Sequence, residues 1–416
     1  MLGVVVCSGQ TFAQAAGQKA AAAQTASAIR VFLDCNFGCD EEFVRREITF
    51  VDYVRDRTAA DVHILLTTES TGGGGTEYTI KFIGLGRFAN VEQTLRHVTP
   101  TTATEDERRK ATTEVLKQGL VRYVSESPLA PRLRISVAED TKGSGQQTAA
   151  KDPWNLWVFR TNFGGSFNGE QSSTSHSLRG SISANRTTEA WKLEFSASGS
   201  RRTSTFDLGD DETFTSRSRD FSSSAWIVKS LNAHWSAALN GRVSSSTFLN
   251  QDLHTRTAAG IEYDIYPYAE STRRSLTIQY TAGLSTFDYE EITIFEKLEE
   301  KHIDHRLQTT LSMRQPWGSS YATVYFSQFL TKPDKYSITA FGDANIRLFK
   351  GFSFNVFGEI ARTRNQLYLP RGEATTEEIL VRQRQLATDY QYYLSFGISY
   401  SFGSIFNNVV NPRFGT

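Results

Sequence analysis

From Pro153 onward, apolar and polar side chains alternate with a period of two for about 250 residues, the signature of strands with one apolar and one polar face. Twelve such segments can be counted. In the last, Leu394, Phe396, Ile398, Tyr400 and Phe402 alternate with Ser395, Gly397, Ser399 and Ser401. The third sets Trp191, Leu193, Phe195 and Ala197 against Lys192, Glu194, Ser196 and Ser198, and the fifth sets Trp235, Ala237, Leu239 and Val243 against Ser236, Asn240, Arg242 and Ser244. The seventh opposes Leu276, Ile278, Tyr280 and Leu284 to Thr277, Gln279, Thr281 and Ser285, and the eighth opposes Leu307, Leu311 and Met313 to Arg306, Gln308, Thr310 and Arg314. Around Trp226 and Tyr325, in the fourth and ninth, the alternation is too poor to set a register.

Two architectures fit this pattern, a transmembrane β-barrel and a soluble sandwich or lipocalin-like barrel. Three features favour the membrane. The segments have roughly the 9–11 residues needed to cross a bilayer at a tilt, where soluble strands run nearer 5–6. Their connections alternate in length. Thr187–Ala190, Ser230–Ala233, Tyr266–Arg274, Gln315–Ser319 and Phe349–Gly351 are short, whereas Arg201–Asp220, Thr286–His302 and Arg364–Asp389 are long and polar. Aromatics also collect toward segment ends, as at Trp154, Trp157, Trp191, Trp235 and Tyr266, where interfacial girdles belong. An even strand count returns the chain to the side on which it began.

Residues 28–138 read differently. Ala28–Asp34 is strand-like, and Asp40 can cap a helix carrying Phe43, Val44 and Ile48. Phe50–Val54 and Val62–Thr68 are strand-like, and Gly72–Gly75 forms the tip of a hairpin whose second arm carries Tyr78, Ile80 and Phe82. Thr104-Glu105-Asp106-Glu107 is a capping box opening a helix with Leu116, Leu120 and Val124 on one face. Arg132–Val137 looks like a closing strand, and residues 139–153 like a linker. The expected organisation is therefore a small α/β domain at 28–138 and an antiparallel barrel of about twelve strands at 154–404, followed by a tail at 405–416. Residues 1–15 end in Ala13-Gln14-Ala15 and read as the remnant of a secretory signal, and residues 16–27 as a disordered Ala/Gln-rich stretch.

The 45 basic and 45 acidic side chains cancel, which argues against a nucleic-acid-binding stripe. No apolar run is long enough for a membrane helix. In an exported chain, Cys35 and Cys39 most simply close a disulfide loop; a zinc site would want a second ligand pair, which is missing.

Residues 154–404 resemble bacterial outer-membrane β-barrel proteins. The resemblance is carried by the last strand, Tyr392-Tyr-Leu-Ser-Phe-Gly-Ile-Ser-Tyr-Ser-Phe402, which is similar to the aromatic-terminated signal read by the barrel-assembly machinery. It implies Tyr392, Leu394, Phe396, Ile398, Tyr400 and Phe402 as assembly-signal residues, a place in a Gram-negative outer membrane, contact with its lipid, and a periplasmic position for the α/β domain. The chain departs from that pattern by continuing past Phe402. The fold alone does not choose among channels, enzymes and adhesins.

If the alternation holds, Arg179, Lys192, Glu194, Arg242, Glu262, Asp264, Arg306, Arg314, Asp343, Arg347 and Glu359 point into a lumen. They would either pair and stiffen the barrel or line a narrow pore, and their mixed signs predict no strong ion preference. Gly72–Gly75 lacks the Lys and helix of a phosphate loop. His302, Asp304 and His305 beside Glu299 and Glu300, and Asp207, Asp210, Asp211 and Glu212, read as solvated loops in preference to metal sites. None of the seven histidines (His63, His97, His176, His234, His254, His302, His305) sits in a hydrolase signature, so neither catalysis nor a cofactor is expected. Two functions remain. One is a modest-conductance channel for small polar solutes, gated by the α/β domain or using it to dock a periplasmic protein. The other is a non-transporting anchor that presents that domain and the charged loops.

Overall fold

The computed structural model describes residues 29–35, 38–135, 152–209, 212–372, 387–406, 408–410 and 413. The signal remnant, the Ala/Gln-rich stretch and most of the linker lie outside them.

The N-terminal unit contains β1 (Ile29–Asp34), α1 (Glu41–Glu47), β2 (Val51–Tyr53), β3 (Val62–Ser70), β4 (Thr76–Gly84), β5 (Glu92–Thr99) and α2 (Glu105–Ser125). The sheet order is β2-β1-β3-β4-β5, with β1 parallel to β2 and β3 and the remaining pairs antiparallel. Asp40 caps α1 by accepting the Phe43 amide at 2.9 Å. Thr104 and Glu107 form the reciprocal box at the start of α2, each satisfying an amide the helix leaves unpaired. Leu116, Leu120 and Tyr123 pack on Ile29, Val31, Val62, Ile64, Ile80 and Phe82. Each such side chain removed from water is worth about 1.5–3 kcal/mol. Gly119 lets α2 approach the sheet, since a Cβ there would lie 2.0 Å from the Phe82 ring. A disulfide joins Cys35 and Cys39 between β1 and α1.

The expected closing strand at Arg132–Val137 is absent through Ile135. Ala130–Arg132 is a short helical turn, and Leu133–Ile135 is irregular. The place beside β4 belongs to β5, where charged and apolar residues intermix and the period is weak.

The second unit is a twelve-stranded antiparallel sheet in which each strand pairs with the next in sequence order. Its members are β6 (Trp157–Glu170), β7 (Ser173–Thr187), β8 (Trp191–Gly209), β9 (Glu212–Ser230), β10 (Trp235–Ser246) and β11 (Gln251–Asp264). They continue as β12 (Arg274–Tyr289), β13 (Glu299–Gln315), β14 (Gly318–Phe329), β15 (Lys332–Phe349), β16 (Phe352–Thr363) and β17 (Tyr390–Tyr400). The sheet curls. A cavity of about 730 Å³ is lined jointly by Arg160 of the first strand and Arg256 of the sixth. Among the described residues no ladder joins β6 to β17.

Two stretches expected as loops are strand. β8 and β9 run 19 residues each, so Arg201–Asp220 is largely a two-stranded ribbon, held by Thr205 against Thr215 and Phe206 against Phe214. Its sequence hides this because both faces are polar, and apolar alternation is lost although Thr still favours strand. Likewise β12 reaches Tyr289 and β13 begins at Glu299, which puts His302 in a strand with its side chain buried. Within the calcium candidate, Asp207 and Glu212 lie in this ribbon, and Asp210 and Asp211 lie outside the described residues.

An unpaired strand edge cannot persist in hydrocarbon, because each free N–H or C=O there costs several kcal/mol. In lipid nanodiscs, amides of Trp157–Glu170 and Tyr390–Tyr400 should therefore exchange as slowly as those of Ser173–Thr187. Fast exchange confined to the two end strands would show a standing seam.

Candidate lumen and its two closures

Directly paired residues in a ladder point to the same face of a sheet. One row can be followed across eight strands through Arg160, Ser183, Ser196, Ser224, Arg242, Arg256, Ser285 and His302. It contains no apolar side chain. The parallel rows place Arg179, Lys192, Glu194, Glu262, Asp264, Arg306, Arg314, Asp343, Arg347 and Glu359 on this same inner face. The opposite face carries Phe163, Leu239, Val243, Ile278, Leu284, Ile338 and Ile360, all exposed. Tyr392, Leu394, Phe396, Ile398 and Tyr400 share that outer face of β17, and Phe402 lies exposed just beyond its end. The two strands without a clear period do break the rule. β9 turns Trp226 inward opposite Glu194 and Asn240, and β14 turns Tyr321 and Tyr325 inward. The inner wall accepts aromatic rings as well as charge, whereas on the outer wall charge stands toward the strand ends, as at Arg219, Lys229, Asp288 and Lys301.

Of the inner acids named, all but Asp343 have a hydrogen-bond or ion-pair partner among the described residues. Asp304 accepts from Arg256 at 2.8 Å and from Ser285 Oγ at 2.6 Å, with Arg256 and Asp304 almost fully buried. Glu300 accepts from the Tyr289 hydroxyl at 3.2 Å, meets His302 Nε2 at 3.0 Å and pairs with Lys332. Glu194 pairs with Lys192 at 2.9 Å. Glu262 accepts from Tyr268 and Gln279, Glu359 from Gln391 at 3.1 Å, and Asp264 from the backbone amides of Tyr266 and Leu276 at 3.1 Å. Ser244 Oγ lies 3.4 Å from His254 Nδ1, and among the described residues His254 Nε2 has no partner. His305 points outward, away from His302 and Asp304, and no cluster of three metal-capable side chains occurs among the described residues.

Each end of the sheet is covered. At the short-turn end sits the α/β unit, with its helix-free face toward the barrel. Phe32 and Asp34 lie on that face and are nonetheless buried. Arg347 covers them. Its Nη2 donates to Asp34 Oδ1 at 2.8 Å, its Nη1 donates to Oδ2, and its guanidinium lies 5.1 Å from the Phe32 ring. Around this pair, Arg314 Nη1 donates to Thr68 O at 3.1 Å, the Gly351 amide to Asp56 Oδ2 at 2.6 Å, and Arg160 Nη2 to Gly73 O at 3.4 Å. Gly351 has φ of 70°, which the tight β15–β16 turn requires. The glycine tip at Gly72–Gly75 thus packs beside Arg160 and Thr187.

The tail beyond β17 joins this contact. The Arg55 amide donates to Ile405 O at 2.8 Å, Val54 and Phe406 form an antiparallel bridge, and Asn408 Nδ2 donates to Asp52 Oδ1 at 2.7 Å. The tail therefore covers the β2 edge of the small sheet.

At the opposite end, residues 366–371 leave β16 and cross to the far wall. The Ile294 amide donates to Leu369 O at 2.8 Å, the Arg371 amide to Ile292 O at 2.8 Å, and Asn250 Nδ2 to Tyr368 O at 3.0 Å. Leu367 is buried against Phe287, Tyr289 and Phe329, which face inward.

No protein-family model and no curated protein matches the sequence. Among solved structures, the chain is similar to the NanC porin, at 9% identity and TM-score 0.28, over 58% of this chain and 99% of that one. It is similar to the KdgM porin at 13% identity and TM-score 0.25, over 59% and 100% of the two chains. It also resembles the translocator domain of the autotransporter NalP from Neisseria meningitidis, at 12% identity and TM-score 0.27, over 70% and 97%. At TM-scores this low, the strand order and the two faces of this chain carry the reading.

Burial disfavours the charge on Asp34, but hydrogen bonds from Arg347 and His63 outweigh it and hold the carboxyl at about 2. Burial lowers His63, against the pull of Asp34 at 3.2 Å. The two shifts have the same consequence. As pH falls below about 6.5 the unfolded chain takes up the His63 proton first, and below about 3.8 it takes up the Asp34 proton first, so stability declines with acid in both windows. Urea midpoints of the α/β unit should be level above pH 7 and fall from pH 6.5 downward; a midpoint independent of pH between 7 and 5 would contradict this. Arg347→Met should cost roughly 3 kcal/mol by stranding the buried carboxylate, and Asp34→Asn less, since Arg347 is one-third exposed.

Proposed function

We propose that the chain is an outer-membrane β-barrel channel for small polar solutes, closed at its periplasmic mouth by its own α/β domain. The observation that supports it most is the separation of faces. Over twelve consecutive strands the outer wall is largely apolar away from the strand ends, and the inner wall is mainly Ser, Thr, Asn and charge with a few aromatic rings among them. A soluble barrel inverts this, with apolar side chains inside. Turning a basic inner residue toward lipid at the midplane would cost about 2–4 kcal/mol. Outer-face charges such as Arg217, Arg219, Asp288 and Lys301 gather at the long-loop ends of their strands, where a bilayer ends. One end of the sheet carries only short connections, whereas at the other β8 and β9 run on as a long ribbon and residues 364–389 join β16 to β17, an asymmetry that suits a barrel whose α/β domain lies in the periplasm.

The domain spans the turn mouth from Arg160 of the first strand to the tail beyond the twelfth, and residues 366–371 narrow the other mouth. The resting state is therefore a closed one. A second reading, a non-transporting anchor for a periplasmic domain that binds another protein, draws on the same joint: a bidentate ion pair and a paired tail fix the domain in place.

Single-channel recording separates the two. Wild-type protein in a planar bilayer should show rare, small steps, and Arg347→Met or Asp34→Ala should raise the open fraction several-fold. Silence from both variants, with β-sheet circular dichroism intact, would leave the anchor.

A further inference from the structure

We infer that the outer wall carries a binding site for a phosphorylated acyl lipid of the leaflet at the long-loop end, with Arg201, Arg217 and Arg219 on its headgroup and a trough over Gly180 and Gly199 for an acyl chain. It rests on the reading of the chain as an outer-membrane barrel and does not depend on whether the lumen conducts.

The ladder between β8 and β9 fixes where these residues stand. At the short-turn end Trp191 is opposite Lys229, whose Nζ lies 4.4 Å from the centre of the indole ring. An aromatic ring and a long cation of this kind belong at a membrane–water boundary. About ten residues further along each strand, the length that carries a tilted strand across the hydrocarbon, Arg201 stands opposite Arg219. Between the two pairs the outward positions run from Leu193 to Gly199 on β8 and from Phe221 to Ile227 on β9, and none is charged. The arginines therefore sit at the depth where the headgroups of the other leaflet begin.

Like charges directly opposite in a ladder repel, and Arg217, diagonal to Arg201 on the same face, adds a third. Little on this face offsets them. Among the described residues the side chains of Arg201 and Arg217 make no ion pair or hydrogen bond, and Arg219 meets Glu290 only at 3.9 Å. Asp220 points to the lumen and accepts from Ser246 at 2.6 Å, while Asp207, the nearest outward acid on β8, accepts from the Gly209 amide at 2.9 Å. Cations held together by backbone register call for an anion with several acceptors. A phosphate matches the guanidinium fork, and at this depth of a bilayer the available phosphates are those of lipids.

The wall beneath the arginines suits the remainder of such a molecule. In the next outward row toward the membrane centre, Gly180 and Gly199 are directly paired, with Phe163 and Phe221 on either side. Both rings are exposed. A Cβ on either glycine would meet no atom closer than 3.7 Å, so packing within the protein does not call for glycine at these positions. Glycine inside a strand marks a place where something approaches the backbone closely, and here that side is lipid. The depression continues over Ala197 and Ser223, which are paired and small. A chain hanging from a headgroup on the arginines would follow this course.

The test is native mass spectrometry of the full-length protein released from detergent micelles that carry increasing amounts of lipid A, an acylated and phosphorylated glycolipid, with phosphatidylethanolamine and inorganic phosphate as separate probes. A retained lipid A adduct, formed at lower concentration than either other probe, is expected. Arg201→Gln and Arg219→Gln should each weaken it about tenfold, the worth of one charge-assisted hydrogen bond. Both variants relieve a repulsion, so neither threatens the fold. Gly199→Leu, which fills the trough and leaves every charge in place, should weaken it several-fold. Lys229→Gln, at the other boundary, should leave it unchanged. Equal retention of lipid A and phosphatidylethanolamine, or equal affinity in wild type and the arginine variants, overturns the proposal. Inorganic phosphate bound as tightly as lipid A, with Gly199→Leu without effect, overturns the lipid in favour of a free anion. Protein that stays folded and monodisperse without detergent removes the barrel reading together with the site, whereas the other failures remove the site alone.

Discussion

One register governs the large sheet, and every other feature depends on it. Because side chains alternate with a period of two, slipping any strand by one residue would carry its whole polar set to the outside. For β13 that would expel Glu300, His302, Asp304, Arg306 and Arg314 together. The cost of such a slip is several charges deep, so the pairing is strongly specified wherever charged residues populate the inner face. The sheet can then tolerate weak alternation in β9 and β14, since their neighbours β8, β10, β13 and β15 impose the register from both sides.

The same constraint explains what could be read from the residues and what could not. Strand number and the antiparallel pairing of neighbours follow from alternation, which is local. So do the caps of α1 and α2, each written in four consecutive residues. β5 escaped because Leu95 and Val98 fall on opposite faces of Glu92–Thr99. The ribbon beyond Arg201 escaped because both of its faces are largely polar. The pairing of Arg347 with Asp34, of Asn408 with Asp52 and of Leu367 with Phe287 joins residues far apart in sequence, and no period announces such contacts. Mixed charge on the inner wall was legible as composition, but which of those charges pair with one another exists only in three dimensions.

The contact between the two units is of a kind that can separate. It is made of ion pairs, backbone amides and one short strand bridge, with Phe32 as its main apolar member. Polar contacts exchange readily for water, whereas an apolar core does not. The joint also divides unequally. Asp34 is almost fully buried and serves His63 as well as Arg347, so it is the partner that loses most when the domain lifts away. Hydration of the exposed Asp34 would then offset much of the lost pairing.

The tail argues for a limited motion. Because it pairs with the β2 edge and is continuous with β17, the domain is held on both flanks, by Arg160 and Thr187 at one side and by Ile405, Phe406 and Asn408 at the other. If the domain gates the lumen as proposed, contacts near Arg314 and Arg347 would break while the tail bridge stays formed, and the domain would swing about the β17 side without leaving the mouth. In the proposed channel, a hinge of that geometry would open the lumen nearest β13 to β16, the wall on which Arg314, Asp343 and Arg347 stand. On that proposal, the residues that close the joint are the ones a solute would meet first on entering from the turn side.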